Sequence, residues 1–235
     1  MHRRATAGAA YNRHVFPTGV AAVFMRMTYR LAIFDFDGTL ADSFPFFMSV
    51  FNEIADEHGF RRVDAEQAAR LRHYGPRDIM RHVGMPAWKL PLASRSFVER
   101  MRQNAERIPL FEGVGDTLRE LDRNGVQLAV VSSNSEQNVR LVLGPELGAL
   151  VGYYECGMSI FGKAARIRKV LKLAMVPAAQ ALYVGDQSTD ADAARKAGVA
   201  FGAVTWGYAS IEALRRVAPQ REFATPADLL SIMRC

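Results

Sequence analysis

Four short, unbroken apolar runs constrain this chain more than any other feature: "RLAIFDF" (30–36), "VQLAVVS" (126–132), "ALYVGD" (181–186) and "VAFGAVT" (199–205). Strands that read apolar at nearly every position are buried on both faces, as parallel strands covered by helices are. The intervening stretches supply those helices: "GVGDTLRELDRNG" up to Gly125, "SEQNVRLVL" from Ser135, "KAARIRKVLKLAM" from Lys163 and "DADAARKAG" up to Gly198. Ser at the head and Gly at the tail of such segments satisfy backbone groups that a helix end leaves unpaired. The pattern predicts an α/β fold built on a parallel sheet.

One interval breaks the alternation. Residues 44–109 contain no convincing buried strand and read as helices instead. These are "FPFFMSVFNEIADEHG" stopping at Gly59, "DAEQAARLRHYG" stopping at Gly75, "PRDIMRHVG" opened by Pro76, and "LASRSFVERMRQNAERI" running to Pro109. The expectation is an all-helical insert at 44–109 within a core made of residues 29–43 and 110–235. The stripe Phe44, Phe46, Phe47, Val50, Phe51 and Ile54 belongs either to the insert's own core or to its contact with the sheet.

With 235 residues, 49% of them hydrophobic, the chain has enough apolar material for a large core. The longest apolar stretch near its start, "VFPTGVAAVF", falls well short of the ~20 residues that span a bilayer, so no membrane association is expected. Two cysteines, Cys156 and Cys235, cannot make a disulfide scaffold, and a reducing cytoplasmic setting fits them. The net charge of +6 suggests nucleic acid until it is located. Arg3, Arg4, Arg13, Arg26 and Arg30, with no acid among the first thirty residues, account for all but one of those charges. Nucleic-acid binding by the body of the chain is therefore not expected. Residues 1–28 read as a basic, disordered extension rather than a targeting segment, with Met25 or Met27 as alternative starts.

Ligands of an open parallel sheet bind beyond the carboxyl ends of its strands, and the polar residues of this chain collect there. Asp35 and Asp37 end the first run; Ser132, Ser133 and Asn134 end the second; Asp186 ends the third, with Asp190 one turn on. Lys163 opens the helix before that third run. Carboxylates so close repel, and burial penalises each. Three of them at one edge suit a hard divalent cation such as Mg²⁺, while Lys163 and exposed amides suit phosphate oxygens. Plainer readings exist as well: Asp190 as a helix cap, Ser133 and Asn134 as caps of the next helix, Arg77 and His73 as solvated helix residues, Trp206 and Tyr208 as loop packing.

Taken in order, "DFDGT", Ser132 after an apolar strand, Lys163 at a helix start, and "GDQSTD" with Asp186 and Asp190 resemble the four motifs of the haloacid dehalogenase superfamily of aspartate-nucleophile phosphatases. The resemblance spans about residues 29–210, and its nearest likeness is to phosphoglycolate phosphatase-like enzymes. Ala164 follows Lys163 where such enzymes often carry Pro, but the placement just after "MSIFG" selects Lys163 over Lys169 and Lys172.

The resemblance implies a Rossmann-like core with a helical cap at 44–109. It implies Asp35 as nucleophile, Asp37 as general acid and base, and Mg²⁺ held by Asp35, the Asp37 carbonyl and Asp186, with Asp190 binding the metal or orienting its water. Ser132 and Lys163 would hold the phosphoryl group. Gly38, Thr39, Ser133, Asn134 and the cap residue Arg77 would line the substrate site. The expected partner is a small phosphorylated metabolite, and the expected state a monomer or homodimer. A phosphomutase would use the same pair of aspartates. A haloacid dehalogenase would need neither Asp37 nor a metal-type Asp186, and a non-catalytic binding protein would not need the full set of acids.

Overall fold

The computed structural model describes residues 29–157 and 162–233. The readings of residues 1–28, of Cys235 and of the "MSIF" that precedes Gly162 fall outside the described residues. Six parallel strands form the sheet: β1 (Leu31–Phe34), β2 (Gln127–Ser132), β3 (Val151–Cys156), β4 (Ala181–Gly185), β5 (Ala200–Val204) and β6 (Arg221–Phe223), in the order β3-β2-β1-β4-β5-β6. This is the Rossmann-like α/β arrangement, and the chain switches direction across the sheet between β1 and β4.

Alternation along the strands divides the core into two layers. Ala32, Phe34, Leu128, Val130, Leu182 and Val184 face one side, where α5 (Val114–Arg123) and α6 (Glu136–Leu150) pack. Leu31, Ile33, Ala129, Val131, Ala181 and Tyr183 face the other, against α7 (Lys163–Ala174) and α8 (Ser188–Ala197). The four apolar runs are the four central strands. The edge strands β3 and β6 escape the sequence reading. "VGYYEC" is only partly buried beyond Val151, and "REF" buries one residue of three. Helix α6 also runs past the expected "SEQNVRLVL", through a kink at Gly144 and Pro145, and passes straight into β3.

Between β1 and β2 stand α1 (Phe44–His58), α2 (Ala65–Leu71), α3 (Pro76–His82) and α4 (Leu90–Gln103). Helix α2 ends four residues before the expected Gly75; it starts on a capping box in which Asp64 and Gln67 bond each other's backbone N–H. The aromatic stripe of α1 serves both of its expected roles. Phe46, Val50 and Ile54 join the layer against the sheet, whereas Phe51 joins Val63, Leu71 and Val83 in a small core of the insert.

The chain leaves and re-enters the sheet by two segments that pair with each other. Ala41 and Leu110 form an antiparallel bridge, Asp42 N–H donates to Pro109 O at 2.9 Å, and Phe111 N–H donates to Leu40 O at 3.0 Å. A helix α9 (Ile211–Arg215), capped by Ser210, follows β5, and among the described residues no helix is long and apolar enough to cross a membrane.

Candidate active site

Strand register brings the strand-end residues together. Phe34 pairs with Val130 and with Val184, so the next residue, Asp35, emerges between the ends of β2 and β4, its N–H on Val184 O at 2.8 Å. The turn after it is tight. Thr39, Leu40 and Ala41 all donate to Phe36 O, and Gly38 closes the turn at a φ of 78°, a left-handed conformation that favours glycine. A Cβ there would also lie 2.5 Å from Tyr208 Cδ1 and overlap the Asp186 carboxylate.

Lys163 is the hub. Its Nζ lies 3.0 Å from Asp35 Oδ2 and 2.7 Å from Asp190 Oδ1. Asp190, at the third position of α8, also accepts Gln187 N–H at 3.0 Å, so its oxygens serve a helix cap and the lysine together. Tyr183 stands beneath, its hydroxyl on Val131 O at 3.0 Å. Asp186 accepts Tyr208 N–H at 2.7 Å and, at the edge of bonding range, Thr39 Oγ1 at 3.4 Å.

Asp37 points a different way. Its Oδ2 accepts Asn134 Nδ2 at 2.9 Å, while Oδ1 is buried without a partner among the described residues. Asn134 in turn touches Met101 Sδ of α4 and accepts Asn138 Nδ2, which also donates to Val98 O of α4. Ser132 Oγ accepts Asn134 N–H at 3.1 Å, leaving its own proton to donate. Arg166 Nη1 holds the Ser132 and Gly157 carbonyls. Ser133 is exposed beside Ser132.

The electrostatics concentrate negative charge away from water: Asp35, Asp186 and Asp190 are buried around one lysine, with Asp37 half-buried beside them. Burial pushes Asp35 up to about 7, opposed by the Lys163 ammonium and reinforced by Asp190. Burial raises Asp37 too, against the hydrogen bond from Asn134, and raises Asp186 strongly with help from Asp190 and Asp35. For Lys163, burial works against the charge, yet Asp190 and Asp35 outweigh it and hold the ammonium protonated. A multivalent cation would relieve this crowding. Oxygens of Asp35, Asp186 and Asp190 all lie within 4.8 Å of one another, a hard-donor set suited to Mg²⁺. Because Lys163 and the Gln187 amide already occupy Asp190, Asp35 and Asp186 are the better placed of the three.

Every expected site residue except Arg77 lies in this assembly. Arg77 is exposed near the start of α3; the adjoining Gly75 backs onto Ser188, so Arg77 stands near the junction of insert and sheet without a hydrogen bond or ion pair among the described residues. Three groups were not foreseen. Tyr208 and Trp206, expected as loop packing, grip the site: Tyr208 through its N–H on Asp186 and its hydroxyl 2.8 Å from Ser43 Oγ, Trp206 through Nε1 on Thr39 O at 3.1 Å. Arg72, just past α2, donates to Gly207 O and Tyr208 O. The "TWGYAS" loop, rich in groups with both polar and apolar parts, was the one available signal.

Comparison with known proteins agrees with this geometry. The family model described as haloacid dehalogenase-like hydrolase matches residues 32–204. A phosphoglycolate phosphatase of Synechococcus elongatus is 34% identical over 202 residues, covering 84% of this chain and 94% of its own. Phosphoglycolate phosphatase 1 of Pseudomonas aeruginosa is 29% identical, over 86% of this chain and 78% of its own. Among solved structures, a haloacid dehalogenase-like family hydrolase from Streptococcus pneumoniae superposes with a TM-score of 0.72 at 21% identity, covering 86% of this chain and 97% of that one. CbbY from Rhodobacter sphaeroides gives 0.67 at 22%, over 88% of this chain and 100% of that one. These structures share the fold, and the family match across most of the sheet, joined to the four motifs at its strand ends, shows that this chain belongs to the haloacid dehalogenase-like hydrolases.

Proposed function

We propose that this hydrolase is a Mg²⁺-dependent phosphoric monoester hydrolase acting on a small phosphorylated metabolite of the phosphoglycolate type. The observation that carries the reading is Asp35, buried at the end of β1, ion-paired to Lys163 and within ligand distance of Asp186. Phosphoglycolate phosphatases similar over 84% and 86% of this chain support the substrate class.

Asp35, Asp186 and the Asp37 backbone carbonyl would hold Mg²⁺, which when bound neutralises the carboxylates and the phosphoryl oxygens. Asp35 attacks phosphorus; an acyl phosphate bond forms as the ester P–O bond breaks, and the leaving oxygen takes a proton from Asp37. Asp37 then accepts a proton from water, whose oxygen attacks phosphorus, releasing inorganic phosphate and restoring Asp35. Lys163, kept protonated by its two carboxylates, and the free Ser132 proton hold phosphoryl oxygens in line. Asp190 fixes Lys163. The helices of residues 44–109 act as a cap that keeps water from the site, with Ser133 and Arg77 facing substrate, while buried Thr39 and Asn134 hold Asp186 and Asp37 in place.

Substitution separates the two aspartates. With Mg²⁺ and an aryl phosphate, whose leaving group needs no proton, rapid acid quench and intact-protein mass spectrometry should find one added phosphoryl group on Asp37→Asn and none on Asp35→Asn. An adduct on Asp35→Asn would exchange the roles, and absence of phosphate release from phosphoglycolate by the parent protein would refute the substrate class.

A further inference from the structure

We infer that Arg72 is a positioning residue for Asp186: reaching out of the helical insert, it clamps the one peptide group whose N–H holds that carboxylate, and so ties divalent-cation affinity to the docking of the insert. The inference rests on the reading of Asp35 and Asp186 as cation ligands.

The geometry is a relay through a single amide. Arg72 Nη2 donates to Gly207 O at 2.7 Å, and Tyr208 N–H donates to Asp186 Oδ2 at 2.7 Å. Gly207 C=O and Tyr208 N–H are the two ends of one planar peptide. A cation at its oxygen polarises the amide and strengthens its N–H as a donor, an effect enlarged where water is excluded. The second bond, from Nε to Tyr208 O at 3.0 Å, uses the planar fork of the guanidinium to fix the orientation of the loop, which a single point charge could not do.

Tyr208 also anchors the loop through its hydroxyl on Ser43 Oγ and its ring against Phe44 and Phe47, but Arg72 bonds the Gly207 carbonyl itself. Among the described residues the other donor to Asp186 is Thr39 Oγ1 at 3.4 Å, and Gly207 has no side chain to anchor it. A Cβ on Gly207 would lie 2.7 Å from Asp186 Oδ2, so the peptide lies directly against the carboxylate it restrains. The dock around Arg72 is built to keep it there. The guanidinium sits 5.5 Å over the Phe44 ring, Ser210 N–H donates to Arg72 O at 2.9 Å, and His73 Nδ1 lies 2.9 Å from Ser210 Oγ. Arg72 travels with the insert, while Asp186 belongs to the sheet. Cation binding and insert docking are therefore coupled, each strengthening the other by the same factor.

The test is a titration of the full-length protein with Mn²⁺, following the free-ion signal by electron paramagnetic resonance, which reads affinity without turnover. Arg72→Ala should weaken binding by about tenfold or more, the usual effect of removing a group that orients a metal ligand. His73→Ala, which removes only the exposed His73–Ser210 contact and leaves Arg72's bonds and the insert docked, should stay within about twofold of the parent. Should Arg72→Ala not fold, Arg72→Gln carries the comparison, since it keeps an N–H donor but neither the charge nor the fork. Parent-like affinity in the folded Arg72 variant, or an equal loss in His73→Ala, would overturn the assignment to Arg72 alone. A parent protein that binds no Mn²⁺ would overturn the cation reading beneath it as well.

Discussion

The buried acids make a pH-dependent prediction that opposes the usual trend of acid denaturation. Asp35 titrates near 3.9 in an unfolded chain and is pushed up to about 7 in the fold. Between those values the folded state holds a proton that the unfolded state has lost. Its stabilising contribution is therefore complete below about pH 4 and is lost as pH rises through about 7, at ~1.4 kcal/mol per pH unit. From pH 5 to 7, with the slope fading as pH nears 7, this amounts to about 2 kcal/mol, and at about 2–4 °C per kcal/mol for a chain of this size the melting temperature should fall by roughly 6 °C. Asp186, raised by the same burial and by its acidic neighbours, acts in the same direction. The carboxylates held low by partners, Glu57, Glu99, Glu146, Glu212, Glu222 and Asp228, act in the opposite direction, but only while the unfolded chain titrates at about pH 4–5, and add little slope above about pH 6. Melting curves in chelator at half-unit steps read the fall. With saturating Mg²⁺ the stabilisation should grow across the same interval, because a cation needs the ionised acids and displaces their protons. A melting temperature that is flat or rising in chelator from pH 5 to 7, or a Mg²⁺ increment equal at both ends, would refute the claim that burial keeps these acids protonated across that interval.

Two further substitutions test the packing around the site. Asn134→Ala removes the donor to Asp37 Oδ2 when Oδ1 has no partner among the described residues, and should lower kcat about 10- to 100-fold with little change in KM; an unchanged kcat would show that Asp37 needs no such anchor. Gly207→Ala places a methyl group against Gly38 O and Asp186 and should cost about 1–3 kcal/mol, seen as a melting temperature lowered by several degrees; a parent-like melt would mean that the loop yields freely.

What could be read from the chain follows from what kind of signal each part carries. The central strands announce themselves because both faces are buried, and Asp35, Ser132 and Asp186 announce themselves because each ends such a run. An edge strand loses that mark: β3 keeps Tyr153 and Tyr154 half in water and begins without a turn residue after α6. Asp190 was legible as an acid near the site, whereas its service to both Lys163 and the Gln187 amide needed the helix to be placed. Arg72 and Tyr208 were out of reach for a different reason. They lie 136 positions apart, and what Tyr208 offers Asp186 is a backbone N–H, which no side-chain identity reveals.

The paired crossing between sheet and insert limits how the molecule can move. Since the outgoing segment at Ala41–Asp42 and the returning segment at Pro109–Phe111 are laced to each other, neither can lengthen or slide without its neighbour, and the ribbon behaves as one hinge pin rather than two tethers. Swinging is cheap about such an axis, while translation and twisting are not. The pin is fastened to the turn that carries Asp37, because Gly38 N–H donates to Ala41 O and Asp37 bridges to Ala41. A leaf that turns on this pin would tug first on the residues next to Asp37, so movement of the insert and the aim of the Asp37 carboxylate would share a single degree of freedom.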